Sequence, residues 1–563
     1  MSVIETVYAR LYGIVPDTGF DFSRRIGEML KNHSVNARFL FEPGRYDFYH
    51  YNALRIPYAL SNTDWSEERK IAILLKDMKN IIFDGQNSSF VFHGQMLPIA
   101  ADHCETLFIQ NITIDWEIPL SAEGVVTANS GDAVDLTIDQ NWFPCEVRDG
   151  ELLFCVEDYE TPLAPWAHSE FEADMGKMAI NGGDVFRPAS VQQVGDSLFR
   201  FTGDFRSCAR LGNIIVLRHS QRLHSGLFAE KCRDVTFQNI TVHNSGGLGI
   251  LAQFCDTLCF YDVRFLPNRE RGRCVLSGHD DGLQLSNNRG MIKVENCFFH
   301  GLMDDPINLH GTYLQAAEQV DDRTLRCRFM HGQSKGFYCW AEPGDELALT
   351  VSDSMTEFGA AVVERYELTG LDECILTLAE PLPDTLCPFV MENISNTAAL
   401  ICKNNVFGSC RGRGILVTTR RSVQIEYNLF ESSGSAILIA GDAESWYESG
   451  PCRDVVIRRN IFTDHCATSV YGRDAGAISI HPEVRGNILT VHQNILVEEN
   501  EFFAYRLPVL DAKCVSNISF LNNRVFRGAR RPLTGDCSEV CQFDACHGVS
   551  MSGNQLIGWR RTE

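Results

Sequence analysis

Hydrophobic and polar positions alternate along this chain in one recurring phrase: apolar, polar, apolar, polar, then asparagine and a short apolar run. It reads LFIQNITI at 107–114, VTFQNITV at 235–242, IKVENCFF at 292–299 and LICKNNVF at 400–407. It returns as VQIEYNLF at 423–430, VVIRRNIF at 455–462, ILVEENEFF at 495–503, ISFLNNRVF at 518–526 and VSMSGNQL at 549–556. Period-two alternation predicts half-buried strands, and asparagine tolerates the left-handed backbone of a tight bend. Asn405 and Asn428 stand 23 residues apart, as do Asn500 and Asn523, while other copies are 31 to 42 apart, as loops allow. Short strands and turns at this period, with no helical pattern between them, predict a solenoid. The form that fits is a right-handed parallel β-helix with about three strands per turn and rungs ~4.8 Å apart.

A solenoid needs a cap at its open end. DFSRRIGEMLKN (21–32) predicts a helix with Ile26, Met29 and Leu30 on one face. Two stretches break the repeat, at 118–220 and 312–393, with hairpin-like segments such as SVQQVGDSLFRFTGDF and GDELALTVSD. Both predict small antiparallel β domains inserted between rungs. The resulting layout is a cap with first rungs at 1–117, an insert at 118–220 and rungs at 221–311, followed by a second insert at 312–393 and closing rungs at 394–563.

Composition narrows the function. A net charge of −23 over 563 residues disfavours nucleic acid and anionic membranes, which require a basic face. No stretch approaches the roughly 18 apolar residues of a membrane span. The 21 cysteines include no CxxC pair, so structural zinc is not expected. Cys232 and Cys255 are 23 apart, as are Cys514 and Cys537. That spacing predicts stacked core residues rather than ligands. Free thiols behind an N-terminus with no basic or long apolar leader predict a cytoplasmic location. Nothing in the sequence calls for a cofactor or a metal, and a homodimer is left open.

The candidate chemistry lies in SGHDDGLQLSNN (277–288) and GLMDDPINLHGTYL (301–314). Either aspartate pair alone reads as a solvated turn on an acidic protein. Together, Asp281 and Asp304 are 23 residues apart, the tightest rung repeat, and Asp305 follows directly. Three carboxylates on adjoining rungs repel one another, so one keeps its proton near neutral pH beside ionised partners, as general acid–base hydrolysis requires. A calcium site is the functional competitor. His279, Asn308 and His310 lie close by in sequence. IAGDAESWYESGP (439–451) adds Trp446 and Glu448, an aromatic face and an acid suited to a pyranose. AISIHPEVRG (477–486) adds His481 and Glu483 at a strand end.

These motifs, above all GHDDGLQL, MDDPINLHGTY and GDAESWYESGPCRDVVIRRNIF, resemble glycoside hydrolase family 110 over most of the chain. The resemblance implies a β-helix exo-α-1,3-galactosidase that inverts the anomeric carbon of a terminal α-1,3-linked galactose, as in blood-group B-like or linear α-galactosyl glycans. It implies Asp281, Asp304 and Asp305 as the catalytic cluster, with Trp446, Glu448, His310 and Glu483 shaping the galactose pocket. The cluster is also similar to the three aspartates of polygalacturonases, which implies Asp304 as the acid and Asp281 and Asp305 as the bases. An inverting pair is expected to stand roughly 6.5–9.5 Å apart. Two other readings are a β-helix polysaccharide lyase or epimerase, and a non-catalytic glycan-binding solenoid.

Overall fold

Each repeat phrase forms a strand, a bend and a second short strand, and equivalent strands pair in parallel from rung to rung. The structure, a computed structural model, describes residues 4–157, 159–382, 387–469, 471, 476–485, 490–528 and 539–559. Among the described residues a 21-stranded sheet carries the repeat strands and a 13-stranded sheet carries a second face, so the protein is a parallel β-helix. Within the larger sheet Arg233–Val242 pairs with Asp256–Phe265, and Val423–Glu426 with Arg453–Arg458. Within the smaller one Leu283–Ser286 pairs with Ile307–Thr312, which pairs with Ile415–Val417.

The bend asparagines turn out to do two jobs. Asn111, Asn239 and Asn296 adopt positive φ, as the sequence predicts. In later rungs the residue before the asparagine takes that conformation instead: Asn404, Tyr427, Arg459, Glu499 and Asn522. This frees the asparagine to form a buried ladder. Asn428 Nδ2 donates to Asn460 Oδ1 at 3.0 Å, and Asn460 Nδ2 to Asn500 Oδ1 at 3.1 Å. Each Oδ1 also accepts the preceding rung's backbone N–H, so the bend's polar groups are satisfied away from water.

Beside this ladder a column of phenylalanines fills the core. Phe299, Phe407, Phe430, Phe462 and Phe502 stack with ring centroids 4.5–5.2 Å apart and nearly parallel planes. Each fully buried ring contributes about 1.5–3 kcal/mol through burial. Cys232, Cys255 and Cys514 are likewise buried core residues without disulfides, and Cys537 lies outside the described residues. Helix Ser23–Asn32 buries Ile26, Met29 and Leu30. Its start is held by Asp21, whose carboxylate accepts the Ser23 N–H at 2.7 Å.

The interruptions fold as separate β structures. Strands from Ser121–Asn129 to Ile214–Arg218 make a seven-stranded sheet around Phe186, Phe199, Phe201 and Phe205, with a three-stranded sheet beside it. Strands from Leu314–Gln319 to Phe389–Asn393 close a six-stranded barrel around Trp340. The first insert packs Phe171, Met178, Ile214 and Val216 against Val275, Leu276 and Met303 of the solenoid turns, and the second packs Phe337 against Phe254 at the end of strand Ile250–Gln253.

Candidate active site

Asp281 and Asp305 each stand two residues before a strand of the smaller sheet. Leu283 pairs with Ile307, so this turn of the solenoid is 24 residues long. The expected alignment of Asp281 with Asp304 is therefore corrected: Asp281 lies beside Asp305, whose backbone N–H donates to Asp281 Oδ1 at 2.8 Å. Asp304 still joins them, because Asp304 and Asp305 turn at the mouth of the strand rather than alternating across it. One carboxylate oxygen from each of the three lies within 4.8 Å of the other two.

The other member of the first pair, Asp280, does not line the cavity and is joined to Asp304 through Arg222. It accepts from Arg222 Nη2 at 2.7 Å, from Arg218, and from His279 Nδ1 at 2.7 Å. Burial alone pushes its carboxyl up, but Arg222, His279 and Arg218 together hold it well below the usual range. The HDDG pair is thus divided between one internal counter-ion and one cavity carboxylate.

Asp281, Asp304 and Asp305 line one end of a cavity of about 300 Å³. That is the small end of ligand pockets and suits one sugar ring rather than a chain. Its floor is the outer face of the smaller sheet, with Asn308, Leu416 and Leu438 in register on successive strands. Trp446 closes one side, its indole against His331 of the second insert with centroids 4.2 Å apart. Asp442 shapes that loop by accepting the backbone N–H of Glu444 at 2.7 Å, of Ser445 at 2.8 Å and of Trp446.

Polar groups converge on the far wall. Glu448 Oε1 accepts from Asn62 Nδ2 at 3.1 Å and Asn308 Nδ2 at 3.2 Å. The Asn308 side-chain oxygen, Oδ1, is buried with no hydrogen-bond partner, an acceptor poised for a hydroxyl. Glu483 also lines the cavity.

Three histidines expected to touch substrate do not reach the cavity. His279 is spent on Asp280 and on the His219 carbonyl at 2.9 Å. His310 accepts from Gln284 at 2.6 Å and bonds the Gly311 carbonyl at 2.8 Å, standing behind Glu448 at 3.6 Å. His481 pairs with Asp511 at 2.9 Å. Conversely, sequence reasoning missed Asn62, Arg222, Arg413 and Tyr471, which all line the cavity. Arg222 and Arg413 follow no motif, and only their register next to the aspartates gives them a role.

The cluster's electrostatics divide the three acids. Burial, then the charges of Asp304, Asp305 and Asp280, drives Asp281 well above the ordinary carboxylate range, against Arg222. Burial also raises Asp305, to about 6, with Arg413 opposing and Asp304 adding to the rise. Arg413 donates to Asp305 from its backbone N–H at 2.6 Å and from Nη1 at 3.2 Å. Asp304 has the most accessible side chain of the three. It accepts from the Tyr471 hydroxyl at 2.9 Å and from Arg222 at 3.3 Å.

Comparison with known proteins agrees with this picture. Residues 122–215 match the GLAA-B beta-barrel domain I, and 324–388 the GLAA-B beta-barrel domain II. An "Alpha-1,3-galactosidase B" of Bacteroides thetaiotaomicron is 34% identical over 559 residues, covering 97% of this chain and 90% of the relative. This chain belongs to the α-1,3-galactosidases of glycoside hydrolase family 110. A family member from Bacteroides fragilis, "Alpha-1,3-galactosidase A", is 30% identical over 98% of this chain and 93% of its own. Among solved structures, the exopolygalacturonase of Thermotoga maritima covers 99% of this chain and 92% of its own at 10% identity, with a TM-score of 0.42. The two family matches fall within the two inserts of this chain.

Proposed function

We propose that the protein is an exo-acting α-1,3-galactosidase that releases a terminal galactose with inversion. The observation that carries this reading is the convergence of Asp281, Asp304 and Asp305 at the end of a cavity sized for one sugar ring, in a chain of this family. The galactose ring lies over Leu416 and Leu438 and against Trp446, with Asn308 and Glu448 taking its hydroxyls. Asp304, the most accessible of the three, gives its proton to the glycosidic oxygen. Asp305, with Asp281 beside it, takes a proton from the water that attacks the anomeric carbon. A group pushed up to about 6, as Asp305 is, makes an effective base near neutral pH.

The carboxylate separation bears on the mechanism. Oxygens within 4.8 Å of one another fall below the roughly 6.5–9.5 Å of most inverting pairs. In this reading the water therefore sits between the Asp281–Asp305 pair and the sugar, rather than between acid and base. Three close carboxylates are also the donor set of a hard cation. Arg222 on Asp304 and Arg413 on Asp305 already neutralise this one, which favours acid–base chemistry without metal.

An α-1,3-linked galactobiose followed by proton NMR tests the proposal. The expected first product is β-galactose, at a rate unchanged by EDTA. Early α-galactose refutes inversion, dependence on calcium refutes the metal-free site, and an unsaturated product refutes hydrolysis.

A further inference from the structure

One of the charged contacts between the first insert and the solenoid reaches the catalytic rung through Asp184 and Arg411. Asp184, within the barrel-domain match, grips Arg411 with both oxygens, to Nε at 2.6 Å and Nη2 at 2.7 Å. Arg411 spends its third nitrogen on the site: Nη1 donates to the Met303 carbonyl and the Tyr471 hydroxyl, each at 3.1 Å, and lies 3.8 Å from Asp304 Oδ2. Tyr471 lies between two guanidiniums, with Arg411 at 4.8 Å and Arg413 at 4.6 Å from its ring centre, and its hydroxyl donates to Asp304. The same insert also holds the chain leading to Tyr471. The Asn181 N–H donates to the Thr468 carbonyl at 3.0 Å, and the Gly183 N–H to Ser469 Oγ at 3.3 Å. Met178 packs with Met303, the residue before Asp304.

A bidentate aspartate fixes both the plane of a guanidinium and how much of its charge is felt elsewhere. We infer that Asp184 is a positioning residue of the reaction: through Arg411 it orients Tyr471 and sets the pH at which the carboxylate cluster gives up its proton. The inference rests on Asp304 as proton donor. Among the described residues, the charged and titratable groups facing Asp304 are Asp281 and Asp305 from the turns, Arg222 after the first insert, Cys410, Arg411 and Arg413 from the next rung, and Tyr471. Asp184 partly neutralises Arg411. Without it the full cation acts on the cluster, favours its ionised form and lowers the pH at which the acid is lost. Without Arg411 the direction reverses.

The test is the pH dependence of kcat/KM on an α-galactoside with an aryl leaving group, for full-length variants. Asp184→Asn is expected to move the alkaline limb down by roughly half a pH unit, with KM changed less than twofold. Asp184→Glu restores the limb. Arg411→Gln moves it up by about one unit. Lys177→Met is the control, since it removes another ion pair between insert and solenoid, Lys177 to Glu431 at 2.7 Å, and is expected to leave the limb in place. An unmoved limb in both Asp184→Asn and Arg411→Gln overturns the inference, as does an equal movement in Lys177→Met. If Asp184→Asn does not fold, the upward shift of Arg411→Gln decides the matter alone. Wild-type protein that releases no galactose refutes the proposed function instead.

Discussion

Asp280 and Asp281 are neighbours in sequence, yet their substitution is expected to have opposite consequences. Asp280 has a side chain 1% exposed and balances Arg218 and Arg222, which are 9% and 11% exposed. Asp280→Asn leaves two buried guanidiniums without their shared anion, and breaking a buried pair from one side costs about 3–5 kcal/mol. Its carboxyl is held below the usual range, so its stabilisation is present above the unfolded value of about 3.9 and is lost as pH falls through the folded value. Asp281 has the reverse sign. Its carboxyl is raised, so the folded state prefers it protonated, and that stabilisation disappears as pH rises through the raised value. Asp281→Asn replaces a carboxyl that burial and the neighbouring aspartates disfavour in its charged form with a neutral amide. The amide oxygen can still accept the Asp305 N–H. Asp281→Asn should therefore unfold at the same temperature as wild type or higher, while kcat falls by about 10²–10⁴. Asp280→Asn should melt several degrees lower at pH 7, with the deficit shrinking toward pH 3. Thermal unfolding at both pH values, with kcat on the same samples, separates the two. If Asp280→Asn melts like wild type while Asp281→Asn is destabilised, the division of the pair described here is wrong.

Other expectations follow from the same geometry. Trp446→Ala should raise KM roughly tenfold with kcat within a few-fold, because the half-exposed indole binds the ring without touching the reacting bond; steady-state kinetics decides. The acidic limb of kcat/KM should fall near pH 6, where Asp305 gains its proton, and Arg413→Gln should move that limb upward because a cation opposing the rise is gone. Asn460→Ala should cost about 2–4 kcal/mol in urea unfolding, since the buried Asn428 N–H loses its acceptor and the ladder is cut.

The fold class was legible because a solenoid is written locally. Each rung repeats the same alternation, and every strand pairs with the equivalent phrase of the next rung, so Leu400, Val423 and Val455 align as the pattern implies. The capping helix was legible for the same reason, in the spacing of Ile26, Met29 and Leu30. The asparagine ladder was legible only in part. Which residue of the bend takes positive φ depends on whether the asparagine side chain finds a neighbour rung to bond, and one phrase read alone does not contain that neighbour.

The sequence by itself determined the strand-and-bend unit, its stacking and the proximity of three aspartates, since all follow from short-range periodicity. Tertiary structure alone decided what those aspartates face. A single extra residue in one turn put Asp281 beside Asp305 rather than Asp304. Arg222, Asn62 and His331 arrive from segments far away in sequence, and Asp184 reaches Arg411 across 227 residues. The three histidines look catalytic in a string of letters because imidazole so often is. In the folded protein their nitrogens are taken by Asp280, Gln284 and Asp511. Which partners a buried polar group meets is set by how inserts close over the sheet, and no local pattern encodes it.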